Sequence, residues 1–181
     1  MDWSLIKADL YRYQPHDWGL ITFMKGLSSQ GFRYMLLKRF KDQLGSSSFF
    51  RPLVVLLLRH YTYKYGFQIG GTIKGGFYIG HFGTIVVSVN ARIGSNCNIA
   101  HNVTIGSARG KRSGAPEIGD NVWLGTGSVV VGKINIGSNV LIAPNTFVNF
   151  DVPPHSIVIG NPGKIIYKHN PTRFYINNQW E

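Results

Sequence analysis

A repeat of six residues is the feature that most limits what this chain can fold into. With one interruption, every sixth residue from 69 to 148 forms a column, and eleven of its thirteen members are Ile, Leu or Val. The members are Ile69, Gly75, His81, Val87, Ile93, Ile99 and Ile105, then Ile118, Leu124, Val130, Ile136, Ile142 and Val148. A second column, four residues further on, is small or apolar. This period matches neither an amphipathic helix nor a simple alternating strand.

The period predicts a coil of short strands that meet at corners. Stacked coils bury both columns, and each strand then pairs with the coil above and the coil below, about 4.8 Å away. Small residues at the corners let the backbone turn, which accounts for most of the 22 glycines in the chain.

Residues 1–65 have a different pattern, with apolar residues at helical spacing. Pro15 ends a first helix that begins near residue 3. The sequence then predicts a second helix over 17–44, and a third over 49–65 after a Gly-Ser turn. The chain therefore divides into a helical N-terminal region, 1–65, and a β region that begins at residue 66.

Charge and cysteine content narrow the functional classes. The 19 Lys and Arg residues outnumber the 8 Asp and Glu residues, but they are spread evenly and no nucleic-acid-binding motif is present, which argues against nucleic acid as a partner. One cysteine excludes a disulfide framework. The start lacks the pattern of a signal peptide, and the most apolar stretch, 49–58, is too short to span a bilayer. We expect a cytoplasmic protein, and a position against the inner face of the membrane stays open.

Several motifs carry a family resemblance. They are Gly80-His81-Phe82-Gly83-Thr84, Val103-Thr104-Ile105-Gly106, Pro116-Glu117-Ile118-Gly119-Asp120-Asn121-Val122-Trp123-Leu124-Gly125, Val152-Pro153-Pro154-His155-Ser156 and Ile159-Gly160-Asn161-Pro162. In these motifs the chain resembles the hexapeptide-repeat acyltransferases, and more narrowly the serine acetyltransferase family. The resemblance implies a left-handed parallel β-helix over 66–168, with an inserted loop at 107–117 and a C-terminal tail at 169–181.

The resemblance also implies an activity, the transfer of an acetyl group from acetyl-CoA to a hydroxyl. His81 matches the family's catalytic histidine, and a neutral imidazole can take the proton of an attacking hydroxyl. For the acetyl-CoA site, the resemblance points to a group of four residues: Gly106, Ser107, Thr126 and Lys164. The implied assembly is a homotrimer, and whether two trimers pair is open.

This sequence departs from the serine acetyltransferase pattern at four places. The acid expected fifteen residues before His81 is Gly66, and the residue just before His81, an Asp in serine-using members, is Gly80. The expected Arg-His pair is Gly114-Ala115, and the expected N-terminal Asp-Pro is Gln14-Pro15. These groups would hold the ammonium and carboxylate of serine. We therefore expect a sugar hydroxyl of a bacterial capsular or exopolysaccharide as acceptor, as in the similar colanic-acid and capsular O-acetyltransferases. Serine O-acetyltransferase and an inactive trimeric scaffold are the alternatives.

Without that acid, another group must orient His81. Asp17 is the predicted catalytic partner, and Asp9, Gln68 or a main-chain carbonyl are alternatives. His101 is a predicted acceptor-site residue on the next coil, either beside His81 or facing solvent. The histidines lack the close spacing of a zinc site, so no metal is expected.

Aromatic and basic residues complete the predicted acceptor site. Phe77 and Phe82 flank His81 and can stack on a sugar face, as can Trp18, Tyr78 and Trp123. The inserted loop 107–117 carries three basic residues, Arg109, Lys111 and Arg112, which would supply charge to an acidic glycan or to the phosphates of CoA.

Overall fold

The computed structural model describes residues 2–180 and begins with four helices. They are α1 (Ser4–Tyr13), α2 (Leu20–Ser28), α3 (Gln30–Gln43) and α4 (Arg51–Tyr65). Within the described residues, none of these helices is both long and apolar enough to cross a bilayer.

The single helix predicted over 17–44 is wrong, because the chain leaves the helical conformation at Ser29, with ψ 125°. The hydroxyl of Ser28 donates to the carbonyl of Lys25 (2.6 Å), a local bond that competes with helix continuation. The guanidinium of Arg33 donates to the carbonyls of Leu27 (2.8 Å) and Ser28 (3.2 Å). These bonds satisfy main-chain groups that the interruption leaves free.

Between residues 67 and 167 the chain forms short strands, one set for each face of a coil. They are β1 (Phe67–Ile69), β2 (Thr72–Ile73), β3 (Tyr78–Ile79), β4 (Ile85–Val87), β5 (Arg92–Ile93), β6 (Asn98–Ile99), β7 (Thr104–Gly106), β8 (Glu117–Ile118), β9 (Trp123–Leu124), β10 (Val129–Val131), β11 (Asn135–Ile136), β12 (Val140–Ile142), β13 (Phe147–Val148), β14 (Ser156–Ile159) and β15 (Lys164–Tyr167).

The strands stack into three sheets whose order repeats every third strand. Sheet A has the order β1-β4-β7-β10-β13, sheet B β11-β8-β5-β2, and sheet C β15-β14-β12-β9-β6-β3. Each pair is parallel except β14 with β15, which is antiparallel. The prediction of a parallel β-helix preceded by a helical region is therefore confirmed.

The predicted columns form the core. All eleven aliphatic members of the first column are buried. Its two other members are Gly75, where an added Cβ would lie 2.9 Å from the Cβ of Ala8 on α1, and His81, whose side chain is exposed. One departure from the repeat thus allows a helix to approach the coil closely, and the other turns an imidazole outward.

Asparagines occupy many of the corners between strands. Five of them have φ between 54° and 59°, in the left-handed region: Asn96, Asn102, Asn121, Asn139 and Asn145. Asparagine accepts this conformation more readily than most non-glycine residues because its short polar side chain can hydrogen-bond locally. The corners therefore use asparagine as well as glycine to keep the coils in register.

A buried ion pair fixes the helices to the β-helix. Asp9 on α1 accepts from the Nε of Arg39 on α3 (2.9 Å) and from the main-chain N–H of Phe77 (2.9 Å). Arg39 also donates to the carbonyls of Ile73 and Lys74. Two helices and one coil are therefore joined by a single charged cluster, in which each partner stabilises the buried charge of the other.

The C-terminal segment crosses the outer face of sheet C. Asn98 on β6 donates through Nδ2 to the carbonyl of Tyr175 (2.9 Å). Asn96 donates to the carbonyl of Trp180 (2.9 Å) and accepts from the main-chain N–H of the same residue (3.0 Å). The segment thus lies against the sheet and forms one wall of the site described below.

The packing of α3 on β3 generates a stability prediction. An added Cβ at Gly31 would lie 2.7 Å from the carbonyl oxygen of Ile79 and would also meet the hydroxyl of Tyr13. We expect Gly31→Ala to lower the free energy of unfolding by about 1–3 kcal/mol in urea titrations at fixed protein concentration, despite the better helix propensity of alanine.

Gly45→Ala is the control for this variant. A Cβ at Gly45 meets nothing within 4 Å, so the change should stay within about 0.5 kcal/mol of the wild type. A Gly31→Ala protein as stable as the Gly45→Ala protein would contradict the tight approach of α3 to β3.

Candidate active site

His81, His101 and Thr126 follow one another along one edge of the β-helix. Each of them lies two positions after the last residue of a strand in sheet C: β3, β6 and β9 respectively. The last residues of these strands are paired side by side in the sheet. The main-chain N–H of Gly127 donates to the carbonyl of His101 (3.2 Å), and this bond joins the corner that follows β6 to the corner that follows β9. Corner positions that are far apart in sequence are therefore stacked at the spacing of adjacent strands.

The two histidine rings are in contact. Their centroids are 5.8 Å apart and their planes are inclined at 85°, so the edge of one ring faces the other. His81 is exposed, whereas the Nδ1 atom of His101 is buried and has no hydrogen-bond partner among the described residues. Within residues 2–180 no carboxylate forms an ion pair with the His81 ring. The side chain in ring contact with it is the imidazole of His101.

His81 opens into a cavity of about 540 Å³, a size typical of small-molecule sites. Three parts of the chain form its walls: the helical region, the outer face of sheet C, and the C-terminal segment. The lining residues are Arg12, Tyr13, Ser29, Tyr78, Gly80, His81, Asn98, Ile99, Ala100, Trp123, Tyr175, Asn177 and Asn178. Residues near both ends of the sequence therefore complete a cavity whose remaining wall, with His81, belongs to the β-helix.

Tyr13 sets the position of β3 at the floor of this cavity. Its hydroxyl accepts from the main-chain N–H of Ile79 (2.8 Å) and donates to the carbonyl of the same residue (3.2 Å). Burial raises the pKa of Tyr13 above its ordinary value, so the hydroxyl keeps its proton. Since Ile79 lies two residues before His81, this contact helps to hold the histidine corner against the helices.

Arg12 is a buried cation in the cavity wall, and the sequence analysis missed it. Its guanidinium donates to the carbonyls of Asn177 (2.9 Å) and Gly76 (2.8 Å) and to Oδ1 of Asn98 (2.6 Å). It also lies 5.8 Å from the ring centroid of Tyr78. Burial lowers the pKa of Arg12 from its ordinary value, since the charged form loses hydration. No local sequence signal marks this residue, because its partners lie more than sixty positions away.

Phe77 and Asp17 are among the predicted site residues that do not line the cavity of His81. Phe77 is 0% exposed and packs in the core, so its predicted role in stacking on a sugar is wrong. Asp17 lines a separate cavity with Trp18, His16 and neighbouring side chains, so within this chain it does not orient His81. Asp9, an alternative orienting group, is held by Arg39.

The other predicted acceptor residues lie at two different edges. Phe82 is 64% exposed beside His81, and Tyr78 and Trp123 line the cavity. The inserted loop forms a small hairpin closed by the Ala108–Gly114 bridge, and its three basic residues, Arg109, Lys111 and Arg112, are exposed. That hairpin follows β7, at the opposite end of the sheet A strands from the His81 corner.

The predicted acetyl-CoA residues are also divided between these edges. Thr126 lies on the His81 edge, and Lys164 begins β15 at the far end of sheet C. Gly106 ends β7, and Ser107 bonds Ser88 through their hydroxyls (2.7 Å) at the loop edge. Within residues 2–180 no group of three or more His, Cys, Asp or Glu side chains is placed to hold a metal ion.

Comparisons with known proteins agree on one group. The family described as "Bacterial transferase hexapeptide (six repeats)" matches residues 115–149. The chain is 32% identical over 173 residues, 92% of its length, to serine acetyltransferase 3, mitochondrial, of Arabidopsis thaliana. It is 41% identical over 104 residues, 56% of its length, to the serine acetyltransferase of Staphylococcus xylosus.

Solved structures show the same similarity. Soybean serine acetyltransferase complexed with serine superposes with a TM-score of 0.74 at 30% identity, over 90% of this chain and 68% of that one. The serine complex of the Neisseria gonorrhoeae enzyme gives a TM-score of 0.72 at 28% identity, over 90% of this chain and 67% of that one. The chain spans about half the length of the curated relatives, 44% of the Arabidopsis protein and 45% of the Staphylococcus protein.

Cys97 generates a prediction about reactivity. Burial raises the pKa of its thiol to about 12, and Sγ donates to the carbonyl of Gly119 (3.2 Å). A protonated, buried thiol is a poor nucleophile. We expect a thiol reagent such as DTNB to label no cysteine in the native protein and one cysteine per chain in 6 M guanidinium. Rapid labelling of the native protein would contradict the position of Cys97 in the core.

Proposed function

The chain belongs to the hexapeptide-repeat acyltransferases, and we propose that it transfers an acetyl group from acetyl-CoA to the side-chain hydroxyl of serine. The observation that carries the proposal is the position of His81. It occupies the place of the family's catalytic histidine in the Gly80-to-Thr84 motif, and its ring opens into a cavity of suitable size. The names of the relatives supply the acceptor, since they are serine acetyltransferases over most of this chain's length.

The sugar acceptor expected from the sequence is wrong, and so are its capsular and exopolysaccharide settings. The relatives are serine acetyltransferases, and two similar solved structures contain serine. Charged groups are missing at the motif positions, but α1 and the C-terminal segment also form walls of the cavity and bring other polar groups to it, among them Arg12. The relatives likewise give no support to a location at the inner face of a membrane.

His81 is the proposed general base. Its unprotonated ring nitrogen takes the proton of the serine hydroxyl as the hydroxyl oxygen bonds to the thioester carbonyl carbon. When the carbon–sulfur bond breaks, the imidazolium returns this proton to the departing CoA sulfur. The atoms therefore balance as O-acetylserine and free CoA, with no covalent enzyme intermediate. The buried thiol of Cys97 is consistent with direct transfer.

His101 is the proposed positioning residue for His81. The edge-to-face contact limits the orientations open to the His81 ring. The Nδ1 atom of His101 is buried at the same corner and has no hydrogen-bond partner among the described residues, so it is free to bond a polar group there. In this proposal an imidazole takes the place of the carboxylate that the family places fifteen residues before the catalytic histidine.

For the acetyl donor, we place Thr126 and Lys164 at the binding site. Thr126 shares the His81 edge of the β-helix, and in this proposal its backbone lies beside the thioester directed at His81. Lys164 is exposed, and an ammonium suits the phosphates of CoA. Gly106, Ser107 and the hairpin arginines and lysine lie at the other edge, where they would serve the site of a neighbouring subunit in a homotrimer.

Replacing the proposed base gives the first activity prediction. His81→Ala should lower kcat for acetyl-CoA-dependent thiol release with serine by about 10²–10⁴-fold, because the attacking hydroxyl keeps its proton. The KM for acetyl-CoA should stay within about twofold of the wild type. Steady-state assays on folded, size-matched samples provide the measurement.

His60→Ala is the matched control, since His60 is exposed on α4 and does not line the cavity of His81. It should keep wild-type kcat. A His81→Ala enzyme within tenfold of the wild type would exclude His81 as the base. A wild-type protein with no activity on serine would reject the proposed function.

Lys164 supplies a second prediction, for the donor side. Lys164→Gln should raise the KM for acetyl-CoA about two- to fivefold at low salt, with little change in kcat, because an exposed charge pair contributes at most about 1 kcal/mol. The difference should shrink in 0.5 M salt. Lys168→Gln, which removes a nearby exposed lysine, is the control and should leave the KM unchanged. Equal effects of the two variants would indicate general surface charge and not a phosphate contact.

A further inference from the structure

We propose that Arg12 binds the carboxylate of the acceptor and so selects acceptors that carry a free carboxylate. The proposal rests on the proposed function and names the residue that gives it specificity. Arg12 supplies a positive charge that the motif positions lack, since the Arg-His pair expected in the family is Gly114-Ala115 in this chain.

Among residues 2–180, Arg12 has only neutral hydrogen-bond partners and no counter-ion. Its three hydrogen-bond acceptors are two main-chain carbonyls and the amide oxygen of Asn98. No ion pair joins Arg12 to a carboxylate within residues 2–180. The carboxylate one turn earlier on α1, that of Asp9, is already bound by Arg39 and by the N–H of Phe77.

A buried guanidinium without an anion is energetically costly. Arg12 is 4% exposed, and a desolvated charge is normally paired. The three hydrogen bonds to neutral groups leave the guanidinium without a counter-ion among residues 2–180. The charge itself is therefore unexplained by the fold, and the open side of Arg12 is the cavity that contains His81.

The free donors of Arg12 suit a carboxylate. A guanidinium has five N–H groups, and three of those on Arg12 are used within the chain. The two that remain belong to Nη1 and Nη2, the two terminal nitrogens. Guanidinium–carboxylate hydrogen bonds are charge-assisted and among the stronger polar contacts in proteins.

Arg12 and His81 line the same cavity, which has a volume of about 540 Å³. Tyr78 belongs to the same lining, with its ring centroid 5.8 Å from the guanidinium carbon of Arg12. A small hydroxy acid in this cavity has a carboxylate for the guanidinium and a hydroxyl for the imidazole, each within hydrogen-bond distance of about 3 Å in the proposed complex. Arg12 would then hold one end of the acceptor while His81 activates the other.

The test compares L-serine with L-serinamide, which replaces the carboxylate by a neutral amide. At saturating acetyl-CoA, the wild type should prefer serine about 10- to 100-fold in kcat/KM. Arg12→Gln should lower kcat/KM for serine by about the same factor, mainly through KM. It should change kcat/KM for serinamide by less than about threefold, so that the preference disappears.

Two further variants separate recognition from folding. Arg12→Lys keeps the charge but loses the planar fork, and its preference for serine should be intermediate. Arg33→Gln is the matched control, because Arg33 also donates to main-chain carbonyls, those of Leu27 and Ser28, but lies outside the cavity. It should keep the wild-type preference. Thermal unfolding of each variant reports whether it is folded.

The outcomes are distinguishable. Loss of the serine preference in Arg12→Gln, with activity on serinamide retained, supports the role of Arg12. A wild type that acetylates serine and serinamide equally, or an Arg12→Lys or Arg12→Gln enzyme that keeps the full preference, overturns that role but leaves the proposed function intact. A wild type that acetylates neither compound overturns both. If Arg12→Gln does not fold, the ratio of kcat/KM for serine to kcat/KM for serinamide in the wild type and in Arg12→Lys decides.

Discussion

The parallel register of the coils is the constraint on which the site depends. Because the second residues of β3, β6 and β9 are paired, the corner residues that follow them are brought together from positions twenty and more apart. The register is held by the buried aliphatic column and by corners that asparagine and glycine allow to turn. A shift of one residue in the coil that carries His101 would move His101 away from His81 and would expose a column residue.

The β-helix alone supplies only half of the cavity. The helical region docks on it through the Asp9–Arg39 pair and through the contact of Tyr13 with Ile79, and the C-terminal segment lies across β6. These polar contacts lie between segments that are far apart in sequence, so the cavity exists only when the whole described chain is folded. The same contacts bring a cation, Arg12, into the wall of the cavity that His81 lines.

What the sequence revealed follows from which interactions are local. The repeat, its buried columns and the interruption of the apolar column at His81 could be predicted because each coil repeats the same short-range geometry. The interruption at Ser29, the burial of Phe77 and the remoteness of Asp17 depend on how helices dock, which periodicity does not encode. Arg12 could not be found for the same reason, since its bonds reach Gly76, Asn98 and Asn177. The expected sugar acceptor was wrong because it was inferred from missing motif charges, without the groups that other segments bring to the cavity.

The central claim is that this chain acetylates the hydroxyl of serine directly from acetyl-CoA. The most direct test is to identify the product by mass spectrometry and proton NMR after incubation of the purified protein with serine and acetyl-CoA. We predict O-acetylserine, formed with one molecule of free CoA for each ester. CoA release without a serine ester, or no release above the enzyme-free rate, would contradict the account.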